Sequence, residues 1–552
     1  MNYKKKVILA LNKEIKEKLD ENVLELPPNE SLGDYALPCF ILSKKLKKSP
    51  IEIAKKLESK KFPSIIEKTK AVGPYLNIYL NRKHIIKEIF KEKENYGKGN
   101  KKEKIMIEFS NPNPFKGFHI GHLRNTVLGE SISRLLKFQG NKVIPVNYYN
   151  DTGKHVAKCL WGLENLKVSK PEDKDLGEWL GKIYSQASIK GKEEEFSIIH
   201  KKLEEKDKKY TKAFKQGLSW SEEHFNNIYK DLNITFSKIY YDSDYLDTGK
   251  KIVNNLIKKK VAKLDEGAII ADLEKYKLNT LILTRSDGTS MYITKDLSMA
   301  IDRINKFKLD SSVYVVGSEQ KLHFQQLFKL LELYGYKQSK KCYHLSYGLV
   351  NLPEGSMSSR SGNIVLYKDL KRKLFKLLDE EINKRHNNKS KSEKQKIKED
   401  IFSAAIRFDM VLPDTNKEIT FDIKKSICFE GDTGPYIQYA HTRASSILKK
   451  SKEKISDKIN YRLLSKKEEQ NLISKLALFP EITKNAAEQH KPNIVAQYLL
   501  RISHLFSDFY HNCPCISEDK DLEKARLLLV FCTKQILSSG LYLLGINSPE
   551  EM

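Results

Sequence analysis

The chain has 552 residues, enough for three or four domains of about 150 residues each, and 40% of its residues are hydrophobic. Its seven cysteines are scattered, which excludes a disulfide framework and fits a reducing cytoplasm. No apolar run is long enough to span a bilayer, and charges resume at Lys13, as in an ordinary first helix rather than a signal peptide. Composition therefore predicts a cytoplasmic protein without a membrane segment.

The charge balance is strongly basic. The chain has 99 lysines and arginines and 71 acidic residues, which gives a formal net charge of +28. Such a surface favours a polyanionic partner such as a nucleic acid. The alternative is a lysine-rich composition without a specific partner.

The first 95 residues read as a small α+β module. A first helix is followed by Gly33-Asp34-Tyr35-Ala36, by two further helices, and by a strand at 75–80. The charged stretch 91–104 is predicted to be a linker.

Residues 105–149 form the most informative segment. An apolar strand, Ile105 to Phe109, leads into a proline-broken loop that ends in His119-Ile120-Gly121-His122, and an amphipathic helix and a second strand follow. We expect free N–H groups and positive dipole character at the helix start, which suit a polyphosphate. Gly121 would let a phosphate or a flat ring approach the backbone, and the imidazoles could donate hydrogen bonds to phosphoryl oxygens.

The remaining elements indicate a parallel sheet followed by helices. Residues 155–270 are predicted to be a largely helical insertion, and 280–284 with 291–294 a hairpin around Ser286-Asp287-Gly288. Strands at 312–316 and 343–350 alternate with helices. Residues 387–399 suggest an exposed loop or helix end. The fold class is therefore α/β, with a central Rossmann-type domain at 100–415, an α+β module at 1–95 and an all-α domain at 420–552.

With the HxGH stretch on a β-α-β unit, the chain resembles class I aminoacyl-tRNA synthetases, and among them the arginyl-tRNA synthetase family. Further segments in the order of that family carry the resemblance: Tyr292 to Asp296, Gly317 to Gln320 with His323-Phe324, Gly355 to Asn363, and Thr433 to Arg443. Gly33 to Ala36 and Gly73 to Asn77 are similar to its N-terminal tRNA-binding module.

The resemblance implies an enzyme that binds ATP with Mg²⁺ as its substrate complex, arginine and tRNA(Arg). The arginine carboxylate would attack the α-phosphorus, and the 2′-hydroxyl of the terminal adenosine would open the adenylate. Such chemistry depends on orientation and charge stabilisation more than on covalent catalysis. The family also implies a cytoplasmic monomer without a protein-bound metal.

The implied catalytic and ATP-binding residues come from both signature stretches: His119, Gly121, His122, Lys116, Met357, Ser358 and Arg360. The alternative for the histidine pair is helix capping. The second stretch departs from the Lys-Met-Ser-Lys-Ser pattern, because Ser356 and Ser359 stand where lysines are usual. Lys116, just ahead of HxGH, is expected to substitute, with help from Arg360, unless Lys116 is a solvated loop lysine.

The implied arginine-binding residues are Glu108, Ser110, Asn113, Tyr292, Asp296 and Gln320. A carboxylate can accept a guanidinium bidentately and an aromatic ring can stack on its face. For Asp296 the alternative is a cap of a helix at 296–306, for Glu108 a surface ion pair, and for Gln320 a polar residue of an exposed helix turn.

In the helical C-terminal domain, Tyr436, Tyr439 and His441 could stack on bases, and Arg443, Lys449 and Lys450 could meet phosphates. A buried aromatic core is the alternative. Two other functions stay open: a class I synthetase for another amino acid, such as lysine or glutamine, and a non-catalytic tRNA-binding relative.

Overall fold

The structure is a computed structural model. It describes residues 3–29, 32–172, 175–286, 288, 291–351, 353, 365–385 and 388–552. The chain forms two compact units, one of Lys101–Ser426 and one that joins residues up to Asn100 with Ile427–Met552. The predicted boundaries near 95, 100, 415 and 420 stay predictions.

The N-terminal part of the second unit is an α+β module, as predicted. Its elements are α1 (Tyr3–Ile15), β1 (Tyr35–Pro38), α2 (Phe40–Leu46), α3 (Pro50–Glu58), β2 (Ile66–Val72), β3 (Tyr75–Leu80) and α4 (Arg82–Glu92). The strands form an antiparallel sheet of order β1-β3-β2. Helix α3 begins where the sequence places it because Ser49 and Glu52 form a capping box and Pro50 lies in the first turn.

The stretch 91–104, which the sequence predicts to be a linker, is held against the fold by Tyr96. Tyr96 is fully buried, its ring stacks on Phe479 with 6.4 Å between centroids, and its hydroxyl donates to the Ala477 carbonyl at 3.5 Å. The charged residues on both sides concealed this one aromatic anchor, so the linker prediction is wrong at Tyr96.

The first half of the other unit runs from its central strand to the end of a helical segment. These elements are β4 (Lys104–Glu108), α5 (Ile120–Phe138), β5 (Lys142–Tyr149), α6 (Lys154–Asn165), α7 (Leu176–Lys190), α8 (Glu193–Glu204), α9 (Lys208–Asp231), β6 (Lys238–Tyr241) and α10 (Leu246–Lys258).

The second half of this unit completes the sheet and ends in helices. These elements are β7 (Lys263–Asp265), β8 (Ala268–Ala271), β9 (Leu281–Thr284), α11 (Tyr292–Phe307), β10 (Ser311–Gly317), α12 (Lys321–Tyr334), β11 (Cys342–Tyr347), β12 (Val350–Asn351), α13 (Tyr367–Arg385), α14 (Lys391–Val411), β13 (Ile419–Thr420) and α15 (Ile423–Ser426).

Five strands form a parallel sheet of order β11-β10-β4-β5-β6. The central strand β4 is buried on both faces, which is why it reads as a continuous apolar run. The strand order switches at β4: β5 and β6 lie on one side of it, and β10 and β11 lie on the other. Ligands of such sheets bind beyond the carboxyl ends of the strands at this switch point. The HxGH stretch follows β4 at that edge.

Three local predictions need correction. The segment 155–270 is largely helical but also supplies β6, an edge strand whose Lys-Ile-Tyr-Tyr sequence is too short and mixed to stand out. Residues 292–294 belong to helix α11 rather than to a hairpin strand, and Asp287 of the proposed turn lies outside the described residues. Strand β11 ends at Tyr347, and Val350 pairs separately with Ile419.

The C-terminal part is all-helical, as predicted: α16 (Gly434–Lys450), α17 (Lys467–Leu476), α18 (Phe479–Glu488), α19 (Asn493–Asn512) and α20 (Lys520–Leu543). A buried ion pair, Arg526 to Glu469 at 2.8 Å, links α20 to α17. Among the described residues, no helix is long and apolar enough to cross a membrane.

Gly129 sets how closely α5 approaches the end of β4. A Cβ at this position would lie 2.1 Å from Cγ of the buried Phe109. We expect Gly129→Ala to lower the free energy of unfolding by about 1–3 kcal/mol, because overpacking outweighs the better helix propensity of alanine. Thermal and urea unfolding measure it. Lys137→Ala, at an exposed position of the same helix, is the control and should change stability by less than about 0.5 kcal/mol. Equal stability of the two variants would refute the close-contact argument.

Candidate active site

Backbone pairing joins the HxGH stretch to the start of α13. The Ile120 N–H donates to the Val365 carbonyl at 3.0 Å, and the Tyr367 N–H to the Phe118 carbonyl at 2.9 Å. The segment that follows the second signature is thus held in register beside the first. Met357, Ser358 and Arg360 of the second signature lie outside the described residues.

His119 caps helix α5. Its Nδ1 atom accepts from the backbone N–H groups of Gly121 and His122, at 3.1 and 3.4 Å. The Nδ1 atom of His122 accepts from the His119 backbone N–H at 3.3 Å, and the rings stack with 3.7 Å between centroids. The two imidazoles thus form a reciprocal capping box. A Cβ at Gly121 would lie 3.0 Å from the His119 ring, so glycine leaves room for this cap.

The backbone N–H groups at the start of α5 already donate to acceptors within the protein. The Ile120 N–H goes to Val365, those of Gly121 and His122 to the His119 ring, and that of Leu123 to the His119 carbonyl at 3.0 Å. The expectation of free N–H groups for a polyphosphate is therefore wrong. The alternative of helix capping is confirmed for both histidines, but the cap uses only their Nδ1 atoms.

Both signature histidines are neutral near pH 7. Burial and the nearby Lys116 ammonium together lower the pKa of His119 to about 4. Burial, His119 and Lys116 hold the pKa of His122 well below its usual range. A neutral imidazole that accepts through Nδ1 carries its proton on Nε2. The pair therefore presents two Nε2–H donors.

Lys116 supplies the positive charge near these donors. Its ammonium lies 4.9 Å from the centroid of the Tyr184 ring. Within the described part of the chain it has no carboxylate partner. Lys116, the lysine predicted from the sequence, is therefore half-buried near imidazoles rather than neutralised in a surface ion pair.

His155, at the start of α6, is a third buried histidine near Lys116, and sequence reasoning missed it. Burial lowers its pKa to about 3, with the Lys116 charge contributing, and its Nε2 atom has no partner among the described residues. No motif marks this position, because the proximity arises from the packing of α6 and α7 around Phe115.

The loop after β4 is held in a constrained conformation, with positive φ at Ser110, Asn111 and Phe115 (79°, 45° and 65°). Ser110 is fully buried, and its hydroxyl contacts those of Tyr229 and Thr126, each at 2.8 Å. The Ser110 side chain therefore supports the loop, and its role in arginine binding stays a prediction. Asn113 remains half-buried, and its carbonyl accepts from the Lys116 N–H at 3.2 Å.

Three carboxylates act on the phenol of Tyr148, one by a direct hydrogen bond and two through their charge. Burial raises its pKa well above the usual range, and Asp296, Asp242 and Glu108 raise it further. The Tyr148 hydroxyl donates to Asp242 at 2.9 Å. The structure thus brings together Glu108, from the end of β4, and Asp296, from α11. Asp242, which sequence reasoning missed, follows edge strand β6 in a segment without a signature.

Each of these carboxylates already has a partner. Glu108 forms a buried ion pair with Arg303 and also accepts from the Asn111 side chain at 3.2 Å, so the surface-pair alternative is wrong, and its role in arginine binding stays a prediction. Asp242 forms a buried ion pair with Lys295. Asp296 is held by His323, whose Nε2 lies 2.7 Å from Oδ2.

Tyr292 and Asp296 lie in the first two turns of α11. The helix begins at Tyr292 with Met291 as its N-cap, four residues earlier than expected, so Asp296 is not a helix cap. Tyr292 is 51% exposed, and the Lys295 ammonium lies 4.8 Å from its ring centroid. Gln320 is exposed at the end of the turn between β10 and α12, three residues before His323.

The predicted tRNA-binding residues lie on α16, in the other unit. The Arg443 guanidinium lies 4.8 Å from the Tyr439 ring centroid and 4.7 Å from that of Tyr510, and both tyrosines are about 40% exposed. The Tyr436 hydroxyl contacts His504 at 3.2 Å.

Two other candidates on α16 are corrected. His441 is buried, and its Nδ1 lies 2.9 Å from the Pro549 carbonyl oxygen, so it cannot stack on a base. Lys449 forms ion pairs with Glu550 and Glu551 of the same chain. Among the residues that the structure describes, no cluster of three or more His, Cys, Asp or Glu side chains could hold a metal ion.

Comparisons with known proteins agree with this geometry. The family model described as tRNA synthetases class I (R), catalytic domain, matches residues 85–422; a DALR anticodon binding domain matches 437–552, and an arginyl tRNA synthetase N terminal domain matches 1–80.

Similar proteins span the whole chain. The arginine–tRNA ligase of Clostridioides difficile is 34% identical, with 99% of each chain covered, and that of Treponema denticola is 37% identical over 96% of this chain and 94% of its own. The solved Thermus thermophilus arginyl-tRNA synthetase superposes with a TM-score of 0.85 at 25% identity, covering 100% of this chain and 99% of that chain. The chain belongs to the arginyl-tRNA synthetase family of class I tRNA synthetases.

Proposed function

We propose that this protein joins arginine to tRNA(Arg) at the expense of ATP, as a cytoplasmic monomer with Mg²⁺ bound to its nucleotide substrate. The observation that carries the proposal is the pairing of two sites at one edge of the parallel sheet. One holds neutral imidazole donors beside a lysine, and the other holds three carboxylates beside an exposed tyrosine.

In the first step, an oxygen of the arginine carboxylate bonds to the α-phosphorus and the bond to pyrophosphate breaks. Negative charge grows on the phosphoryl oxygens and on the leaving pyrophosphate. Nε2–H of His119 and His122 would donate to these oxygens, and the Lys116 ammonium would follow the charge onto pyrophosphate. Donors fixed in a dry site need little reorganisation as that charge develops.

For the arginine side chain, Asp296 would accept the guanidinium and Tyr292 would stack on its face, with Gln320 beside them. Asn113 would hold the α-amino end. Glu108, whose carboxylate is also paired with Arg303, would hold the substrate on its α-amino or guanidinium side. In the second step, the 2′-hydroxyl of the terminal adenosine attacks the adenylate carbonyl and AMP leaves.

The two alternatives are less well supported. Lysine lacks the planar fork that a carboxylate binds bidentately, and glutamine would leave the carboxylate unpaired. A non-catalytic relative has no need of two buried, neutral imidazoles with free Nε2–H groups. Aminoacylation of total tRNA with each of the twenty amino acids separately tests the proposal. Charging with arginine alone is expected, and charging with another amino acid, or none, would refute it.

For tRNA, Tyr439 and Tyr436 would stack on bases, and Arg443 would meet a phosphate or stack between ring and base. Lys449 is excluded from this role in the proposal, because its charge is paired within the chain.

His119→Asn separates capping from catalysis. Asparagine is a good N-cap, so its Oδ1 should keep the hydrogen bonds to the first turn of α5 while the Nε2–H donor disappears. We expect an unfolding temperature close to wild type and a fall of about 10²–10³ in arginine-dependent ATP–pyrophosphate exchange, measured with tRNA present. His119→Ala is the matched variant that also loses the cap, and it should unfold at a lower temperature. Full exchange activity in His119→Asn would show that Nε2–H is dispensable.

Lys116→Ala should lower kcat for adenylate formation by about 10²–10³ with little change in arginine KM, because the ammonium acts on charge that develops in the transition state. Transfer from preformed arginyl-adenylate to tRNA should survive. Arg360→Ala is the comparison. Loss of activation in Arg360→Ala with near-normal Lys116→Ala would assign the compensating cation to Arg360 instead.

Arg443→Ala should raise the KM for tRNA about tenfold and reduce the slope of log affinity against log salt by about one, as loss of one phosphate contact does. Amino-acid activation should be unchanged. Lys449→Ala is the control on the same helix and should change neither quantity. An equal effect of both variants would argue for diffuse charge rather than a specific contact.

A further inference from the structure

Arg124 lies in the second turn of α5, two residues after His122, and its side chain is fully buried. Its Nη1 atom donates to the carbonyl oxygens of Gly348 and Leu349, at 2.5 and 3.2 Å. Its Nη2 atom donates to the carbonyl oxygen of Thr415 at 3.2 Å. One guanidinium therefore joins the helix that carries HxGH to two separate segments, one that follows β11 and one that follows α14.

These two segments also pair with each other through the backbone. The Gly348 N–H donates to the Thr415 carbonyl and the Ile419 N–H donates to the Leu349 carbonyl, each at 3.0 Å. A Cβ on Gly348 would lie 2.5 Å from the Lys417 carbonyl oxygen, so the segments approach each other closely. The guanidinium thus binds two carbonyls that already take part in this pairing, and the next residues continue it as β12 and β13.

The segment that Arg124 holds leads along the chain into the second signature stretch. Strand β12 ends at Asn351, four residues before Gly355, where that stretch begins. On the other side of the stretch, residues 365–367 pair with the backbone around His119. The chain before the second signature and the chain after it are therefore both attached to the start of α5, the first by a side chain and the second by the backbone.

The chemistry of this contact favours arginine over other residues. A guanidinium offers five N–H donors in a planar fork and can reach carbonyls of two segments at once, whereas an ammonium is a compact point charge. Burial lowers the pKa of Arg124 to about 10, so the group is charged near pH 7. Among the described residues it has no carboxylate partner. Because a buried charge without a counter-ion costs stability, stability alone does not account for an arginine here.

We propose that Arg124 is a positioning residue for amino-acid activation, which fixes residues 348–349, and with them the chain that enters the second signature stretch, against the helix that carries HxGH. The two signature stretches would then meet ATP in one fixed arrangement. This inference rests on the proposed function. It adds a buried side chain outside the HxGH stretch to the residues on which turnover of ATP depends.

Two variants of Arg124 test the proposal. Arg124→Lys keeps the charge but loses the fork, and Arg124→Met keeps most of the side-chain volume without charge or donors. The same two substitutions at Arg407 are the matched controls. Arg407 is a second buried arginine of this unit, 1% exposed, and its Nη2 atom donates to the Leu232 carbonyl at the end of α9.

Four measurements are made on the full chain. ATP–pyrophosphate exchange with tRNA present gives kcat and the KM values for ATP and arginine, and transfer from preformed arginyl-adenylate to tRNA reports the second step. Thermal unfolding reports stability. Hydrogen exchange of the Gly348 and Ile419 amides reports whether the two segments stay paired.

We expect Arg124→Met to lower kcat/KM for ATP about 10- to 100-fold, the scale for losing hydrogen bonds from a charged group, and Arg124→Lys about 3- to 10-fold. Arginine KM and transfer from the adenylate should stay within about threefold of wild type. The Gly348 and Ile419 amides should exchange faster while β4 stays protected. The Arg407 variants should lose thermal stability but keep kcat/KM for ATP within about threefold.

The inference is overturned if Arg124→Met keeps a normal kcat/KM for ATP, or if the Arg124 and Arg407 variants disturb ATP and arginine equally, as general destabilisation would. Should Arg124→Met fail to fold, the comparison of Arg124→Lys with Arg407→Lys decides by the same criteria. Failure of the proposed function looks different, because the wild-type protein would then not activate arginine, while amide exchange would still show whether Arg124 holds residues 348–349.

Discussion

The hydrogen bonds from the first turn of α5 to the His119 ring constrain the rest of the catalytic unit. They occupy the backbone donors that a helix start would otherwise offer to a phosphate. They also fix the imidazole tautomer, so that the proton lies on Nε2. The adjoining backbone pairs with residues 365–367 tie the start of α13 to the same turn. Under the proposed function, anion binding at this helix therefore relies on side chains and the helix dipole, a role that serine at the same cap could not fill.

Burial gives the two ends of the site opposite character. At the start of α5, desolvation keeps the imidazoles neutral, so Lys116 places a positive charge beside neutral donors. Around Tyr148, two of three carboxylates are paired with buried side-chain cations, and the third, Asp296, is held by the His323 imidazole. One end therefore suits a growing negative charge and the other a resident positive one. A substrate with a carboxylate at one end and a guanidinium at the other fits this polarity in only one direction.

Sequence predicted the parts of the fold that depend on local pattern. The apolar run of β4, the amphipathic α5 and the order of the motifs were sufficient for the central β-α-β unit. Strand β6 was missed because a short edge strand with lysine and tyrosine lacks an apolar signature. The burial of Ser110 was missed because it depends on Tyr229, far along the chain. Asp242 and His155 were missed for the same reason: the Tyr148 hydroxyl that donates to Asp242 and the Lys116 charge near His155 lie in other segments, so spacing carries no signal. His323 lay within a quoted motif, but its contact with Asp296 appears only when α11 and α12 are packed.

The unit of residues 1–100 and 427–552 has one shared hydrophobic core, although its two parts are more than 300 residues apart in the chain. Tyr96 is buried against Phe479, the Cys532 thiol contacts the Ile86 carbonyl at 3.7 Å, and Lys4 pairs with Glu481. Helix α4 therefore completes its core only when α17 and α20 are present. Removing the C-terminal helices would expose this apolar face and destabilise the N-terminal module as well. Contributions of the two parts to tRNA binding are thus separable by surface substitutions such as those at Arg443, but not by truncation.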